Sequence, residues 1–300
     1  MAIYNNPRKC EHMKIGFSLP INYLTGNASS PPDLLWTEIF PTVSSCLAYL
    51  GDHGVCSIEI NKLSDSTNPE LIRQAVDEVI GAGHNATFHG WLPMDTTPGE
   101  MPRIFEVAGA ALTAHGITDA IPVTVHGHNV AEPLSHQQAI TATANDLTNL
   151  ANAYAEQNSL FIPALEICRA KQGGPIGVTY AEILDIAGRI SNTIPLGFCW
   201  DMGHSQINHI KQGYPPFPDQ AFVSRTIHTH IHDISPDGRT HGPLLNTDGY
   251  VKDCLTILRD EGYQGVYNLE LYPMRWAGNT ENRKKALTSS IKNLRTMLDN

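Results

Sequence analysis

PLGFCWDMGH, residues 195–204, is an apolar run that stops on a carboxylate, Asp201. Three other runs end in the same way: LFIPALEIC (160–168) carries Glu166, RTIHTHIHD (225–233) carries His230, and GVYNLELYP (265–273) carries Glu270. Each reads as a buried strand with a polar group at its C-terminal end. If these strands stand parallel in one sheet, their four heads meet at one rim, and oxygen and nitrogen donors gathered in that way make a divalent-cation site.

Working outward from these runs, short β-rich segments alternate with amphipathic stretches from residue 14 onward, with no composition break to mark a linker. The expected strands are 14–19, 56–60, 85–89, 122–126, 160–168, 196–201, 226–232 and 266–271. Most are apolar enough to be read as buried on both faces. Asn68 before Pro69 caps a series of Leu71, Ile72, Ala75, Val76, Val79 and Ile80, which Gly81 and Gly83 close. Ser135 with Gln138, and Thr179 with Glu182, have the spacing of reciprocal capping boxes. Eight strands with crossover helices predict an α/β fold, a single (β/α)8 barrel over residues 13–300 preceded by an extension, 1–12. No strand is followed by the glycine pattern of a dinucleotide or P-loop fold. Residues 91–102 and the proline-rich 213–219 (GYPPFPD) are long enough to cover a site, and are expected to form part of a lid.

The chain has 20 Lys and Arg against 30 Asp and Glu, a net charge of −10. No stretch gathers basic residues into a face for a phosphate backbone, so no nucleic-acid partner is expected. No apolar run is long enough to span a membrane. Cys10, Cys46, Cys56, Cys168, Cys199 and Cys254 show no CxxC spacing, and the N-terminus lacks a signal pattern, so reduced thiols and a cytoplasmic location are expected.

In a barrel of this kind chemistry sits at the strand C-termini. The polar residues there are His89, His126, Glu166, Asp201, His204, His230 and Glu270. Any one alone is more often a hydrogen-bonded structural group than a ligand; recurrence at six consecutive strand ends shifts the balance. Glu166 and Glu270 are flanked by apolar residues, where an unpaired carboxylate is costly and a cation offsets that cost. Asp201, one imidazole and two glutamates form an oxygen-rich set that suits Mn2+ first, with Mg2+, Co2+ or Zn2+ as alternatives; His89 and His126 tilt the choice toward zinc. His228, His230 and His232 alternate along one strand and share a face, with His230 the expected ligand, His228 deeper and His232 near the rim.

WDMGHS, HTHIHD and LEL resemble the DxGH element, the HxHxxD element and the terminal glutamate strand of the xylose isomerase-like barrel superfamily, which includes ketose 3-epimerases, isomerases and endonuclease IV. The resemblance spans nearly the whole chain. It implies a metal on Glu166, Asp201, His230 and Glu270, with His204 touching substrate. Endonuclease IV-like members add His89 and His126 for a further ion and an acidic-x-His pair for a third. The sequence reads Arg239-Thr240-His241 at that place, so His241 matches and the acidic ligand does not. Arg239 is instead expected to bind a sugar oxygen or phosphate, His89 and His126 to contact substrate where they hold no ion, and Trp91 to pack on the carbon skeleton; for Phe17 core packing is an equal alternative.

The leading expectation is a metal-dependent isomerase or epimerase of a ketose or related carbonyl compound. Its substrate is a small carbohydrate-like molecule, and Glu166 and Glu270 exchange a proton through an enediolate. The alternatives are an endonuclease IV-like multi-metal phosphodiesterase, a lyase of the same superfamily, and a non-enzymatic binding barrel. A homo-oligomer is left open. Ion count separates the first two: one per chain for the isomerase, two or three for the hydrolase.

Overall fold

A computed structural model describes residues 14–64, 66–92, 99–130, 134–157, 159–235, 237–276 and 278–299. Eight parallel strands close in sequence order into one barrel. They are β1 Ile15–Pro20, β2 Ser57–Leu63, β3 Asn85–Trp91, β4 Ile121–His126, β5 Phe161–Glu166, β6 Gly197–Asp201, β7 Thr226–Ile231 and β8 Val266–Leu269. All eight expected strands are present, so the chain is a (β/α)8 barrel. The expected extension, 1–12, and residues 93–98 of the expected lid lie outside the described residues.

Two strands depart from the expectation that most are apolar on both faces. Along β2, Ile58 and Ile60 alternate with Ser57, Glu59 and Asn61; along β7, His228 and His230 alternate with Ile227, Thr229 and Ile231. Glu59 on β2 meets His228 and His230 on the far side of the barrel, so the polar set faces inward. The apolar set faces the helices. There Phe88 packs edge-on against Phe105 and Phe161 with centroids 6.2 and 5.5 Å apart, and Phe198 stacks on Phe222 at 5.0 Å. Phe17 belongs to this outer layer, edge-on to Trp36 at 5.6 Å, which settles it as core packing.

Local signals act largely as read. Asn68 accepts from the Glu70 amide, and Ser135 and Gln138 form the reciprocal box. Thr179 accepts from the Glu182 amide at 3.1 Å, but Glu182 turns its carboxylate to the amides of Gly177 and Val178, at 2.5 and 2.7 Å, so that box is one-sided.

Two expectations are corrected. Residues 213–219 form no lid: the Tyr180 and Tyr250 hydroxyls both donate to the Pro216 carbonyl and Phe217 stacks on Tyr250, which ties the segment to two helices. Cys46, Cys168, Cys199 and Cys254 are free and buried, whereas Cys56 is disulfide-bonded, so the thiols are not uniformly reduced. Among the described residues no helix is long and apolar enough to cross a membrane.

Candidate metal centre

Glu166 and Asp201 are the last residues of β5 and β6, His230 lies one residue from the end of β7, and Glu270 follows β8 directly. Being parallel and in register, these ends deliver four donors to one place, as the sequence predicts. One donor atom from each residue lies within 4.8 Å of the others, and all four side chains are buried. His230 Nδ1 is the hub: Glu166 Oε1 is 3.2 Å away, Glu270 Oε2 3.5 Å and Asp201 Oδ2 3.9 Å.

A second convergence shares Glu166. His89 on β3 and His126 on β4 bring their Nε2 atoms to 3.2 and 2.8 Å from Glu166 Oε2 and to 3.1 Å from each other. A third gathers Asp201, His204, His232 and His241. Within it His241 adopts φ +63°, unusual for a residue with a side chain, and its ring is stacked between His232 at 4.3 Å and Tyr272 at 4.2 Å. The His241 amide donates to His232 Nδ1 at 3.0 Å, and His232 Nε2 stands 3.1 Å from Asp201 Oδ1 without a hydrogen bond to it. Gly203 permits it: a Cβ there would sit 1.8 Å from the His232 ring.

The donors fit divalent ions on a direct criterion. Glu166 Oε2, Asp201 Oδ2 and Glu270 Oε2 are buried without a hydrogen-bond partner, although imidazole nitrogens stand close by. Donor atoms that approach without pairing are arranged around a shared space. The first cluster, with three carboxylates and one imidazole, suits Mn2+ or Mg2+; the second, with two imidazoles and one carboxylate, suits Zn2+ or Mn2+.

In the absence of ions, protons balance this charge. Burial works against a charge on His89, yet Glu166 and Glu59 outweigh it and push the imidazole up to about 10. Burial also opposes charge on His204, and Asp201 and Glu166 overcome it, pushing it up to about 9. His230 is driven well above the usual imidazole range against its burial, by Cys199, Glu59, Glu270 and Glu166. Burial pushes the carboxyls of Glu166 and Glu270 up, but the surrounding imidazoles prevail and hold both well below the usual range. His241 moves the other way, down to about 4, through burial and the neighbouring His232.

Above the centre lies a cavity of about 450 Å3. Trp91, 48% exposed, stands on its wall as expected, with Tyr272, whose hydroxyl donates to Glu270 Oε1 at 3.3 Å. Arg169, Lys171 and Arg275 also line it, and among the described residues none of them has an ion-pair partner. Arg239 does not line it: its guanidinium pairs with Asp237 on an exposed turn, so the substrate role expected for it lacks a geometric basis.

Sequence reading missed Glu59, which is fully buried on β2 beneath the hub. Its Oε1 accepts from Ser18 Oγ at 2.6 Å and Asn268 Nδ2 at 3.3 Å, and its Oε2 from His228 Nε2 at 3.0 Å and His230 Nε2 at 2.9 Å. Burial raises its carboxyl, but His230, His228 and His89 together hold it well below the usual range. The alternation of Ile58, Glu59 and Ile60 was the available signal.

The model of the xylose isomerase-like TIM barrel family matches residues 101–297. The chain belongs to the xylose isomerase-like TIM barrel family. Its fold is shared with a xylose isomerase domain protein from Alicyclobacillus acidocaldarius, at 15% identity and a TM-score of 0.58 over 96% of this chain and 99% of that one. A D-psicose 3-epimerase from Clostridium cellulolyticum H10 aligns with a TM-score of 0.59 at 13% identity over 94% and 99% of the two chains. A putative sugar phosphate isomerase/epimerase from Anabaena variabilis aligns at 0.54 and 12%, over 95% and 99%. No curated protein matches in sequence. At these identities the likeness to solved structures establishes the barrel alone.

Proposed function

We propose that this xylose isomerase-like barrel is a divalent-metal-dependent enzyme that holds more than one ion and hydrolyses a small phosphate-bearing ester. The approach of His89 Nε2 and His126 Nε2 to the same Glu166 oxygen carries this reading, because those three atoms make a second donor set beside that of Glu166, Asp201, His230 and Glu270. When bound, the ions would supply Lewis acidity and a water of lowered pKa. Glu166 would serve both positions, and Tyr272 would steady Glu270. Arg169, Lys171 and Arg275 would bind the anionic group, with Trp91 covering its apolar face. Three cations at the mouth of a chain of net charge −10 suit a small ester better than a polynucleotide.

The second reading is the isomerase or epimerase of a ketose expected from the sequence. It is favoured by the placement of Glu166 and Glu270, on separate strands yet both within 3.5 Å of His230 Nδ1, which suits a pair that removes and returns a proton. The barrel is shared with a D-psicose 3-epimerase and a putative sugar phosphate isomerase/epimerase, which agrees with it.

Chelator-stripped protein reloaded with Mn2+ and analysed for bound metal tests the choice. Two or more ions per chain, with hydrolysis of bis(p-nitrophenyl) phosphate that His126→Ala removes, support the hydrolase. One ion per chain, with ketose turnover that survives His126→Ala, returns the assignment to the isomerase. A chain that takes up no ion rejects both.

A further inference from the structure

We propose that Glu59 is the positioning residue of the metal centre: it fixes His230 with its proton on Nε2 and so aims the Nδ1 lone pair at the space between Glu166, Asp201 and Glu270. The inference rests on the reading that this space takes a divalent ion.

An imidazole has one lone pair when neutral, so a metal can use Nδ1 of His230 only if Nε2 carries the proton. Nothing on the rim enforces that choice, since three carboxylates crowd Nδ1 and would equally welcome a proton there. The hydrogen-bond partner that Nε2 has at 2.9 Å is Glu59 Oε2, while the neutral Cys199 thiol also lies against the ring. A carboxylate behind a ligating imidazole sets its tautomer, fixes the ring plane and raises its basicity.

Glu59 lies close enough to His228 and His230 to share an ion with them, but its carboxylate is already occupied by protein donors. A carboxylate offers about four acceptor positions. All are taken: Ser18 and Asn268 bind Oε1, and His228 and His230 bind Oε2. This accounts for the alternation in His228-Thr229-His230, which the rim chemistry leaves unexplained. His228 holds the same oxygen at 3.0 Å and prevents the carboxylate from turning away from His230. The group is fully buried on β2 while its partners come from β1, β7 and β8, so the cradle is fixed by the closure of the barrel itself.

The test measures Co2+ affinity by calorimetry and the visible absorption of the Co2+-loaded protein. Glu59→Gln keeps the size and removes the charge. Affinity is expected to fall by about 10–100-fold, with a shifted Co2+ band, while circular dichroism stays unchanged. In a His230→Ala background the same change is expected to have little further effect on affinity, because the ring it positions is gone. An unchanged affinity and spectrum in Glu59→Gln, or an equal loss in both backgrounds, overturns the proposal and leaves the metal reading standing. If Glu59→Gln does not fold, the 15N shifts of His230 in the Zn2+-loaded wild-type protein decide. A protonated Nε2 with metal-bound Nδ1 supports the proposal, and the reverse tautomer overturns it. A wild-type chain that binds no Co2+ or Zn2+ overturns both readings together.

Discussion

The barrel has two cores built from the same strands. The layer between strands and helices is aromatic and aliphatic, as at Phe88, Phe105, Phe161 and Phe198, whereas the space inside the barrel holds Ser18, Glu59, His228, His230 and Asn268. Bulky aliphatic layers usually fill such an interior. Here stability and chemistry are divided between the two faces of each strand, one residue apart.

The largest effect is expected where that division is cleanest. Phe161→Ala removes a ring packed against Phe88, Phe105 and Tyr154 and should cost about 3–5 kcal/mol in urea denaturation. Mn2+ affinity of the folded chain should stay within about twofold, and a large loss would show that the two cores are coupled. Glu166, on the same strand, should behave in the opposite way. Glu166→Gln is expected to lower Mn2+ affinity by ~100-fold or more in calorimetry, since both convergences use that carboxylate.

Two smaller effects follow from the protons inside the barrel. With His89 at about 10 and His204 at about 9, metal uptake at pH 7.5 to 8 (roughly the working range for such assays) should release more than one proton per chain. Titration in buffers of different ionisation enthalpy measures it, and zero net release would contradict the charge balance described. The metal-free chain should also lose stability at alkaline pH. An imidazole raised in the folded state contributes fully below its ordinary value of 6.5, and the contribution fades as pH rises through about 9 for His204 and about 10 for His89. Melting temperatures at rising pH, with and without Mn2+, should diverge; parallel curves would argue against ions taking the place of the protons. The smallest effect is expected at Arg239. Arg239→Ala should change stability by less than ~0.5 kcal/mol and leave ligand binding untouched, and a binding defect would restore the role that the sequence gave it.

The outer core and the rim were legible in the sequence because each has a local signature. Apolar runs mark the strands, and a carboxylate or imidazole closing such a run marks its C-terminal end. Glu166, Asp201, His230 and Glu270 meet for that reason. Glu59 was passed over because it lies in mid-strand and its meaning comes from Ser18, His228, His230 and Asn268, brought near only by closure of the barrel. His232 is expected near the rim, but its approach to Asp201 depends on the left-handed turn at His241 and the missing side chain at Gly203. Residues 213–219 misled because proline content announces a loop without saying where it docks. Tyr180 and Tyr250, which catch Pro216, stand on separate helices.

The tethering of Pro216 bears on the outer wall of the barrel, since residues 213–219 take no part in lining the cavity. A segment tied down by two tyrosine hydroxyls and a stacked ring acts as fixed masonry that joins the helices carrying Tyr180 and Tyr250. Cutting both tethers with Tyr180→Phe and Tyr250→Phe would take the mortar out of that joint while the cavity keeps its shape.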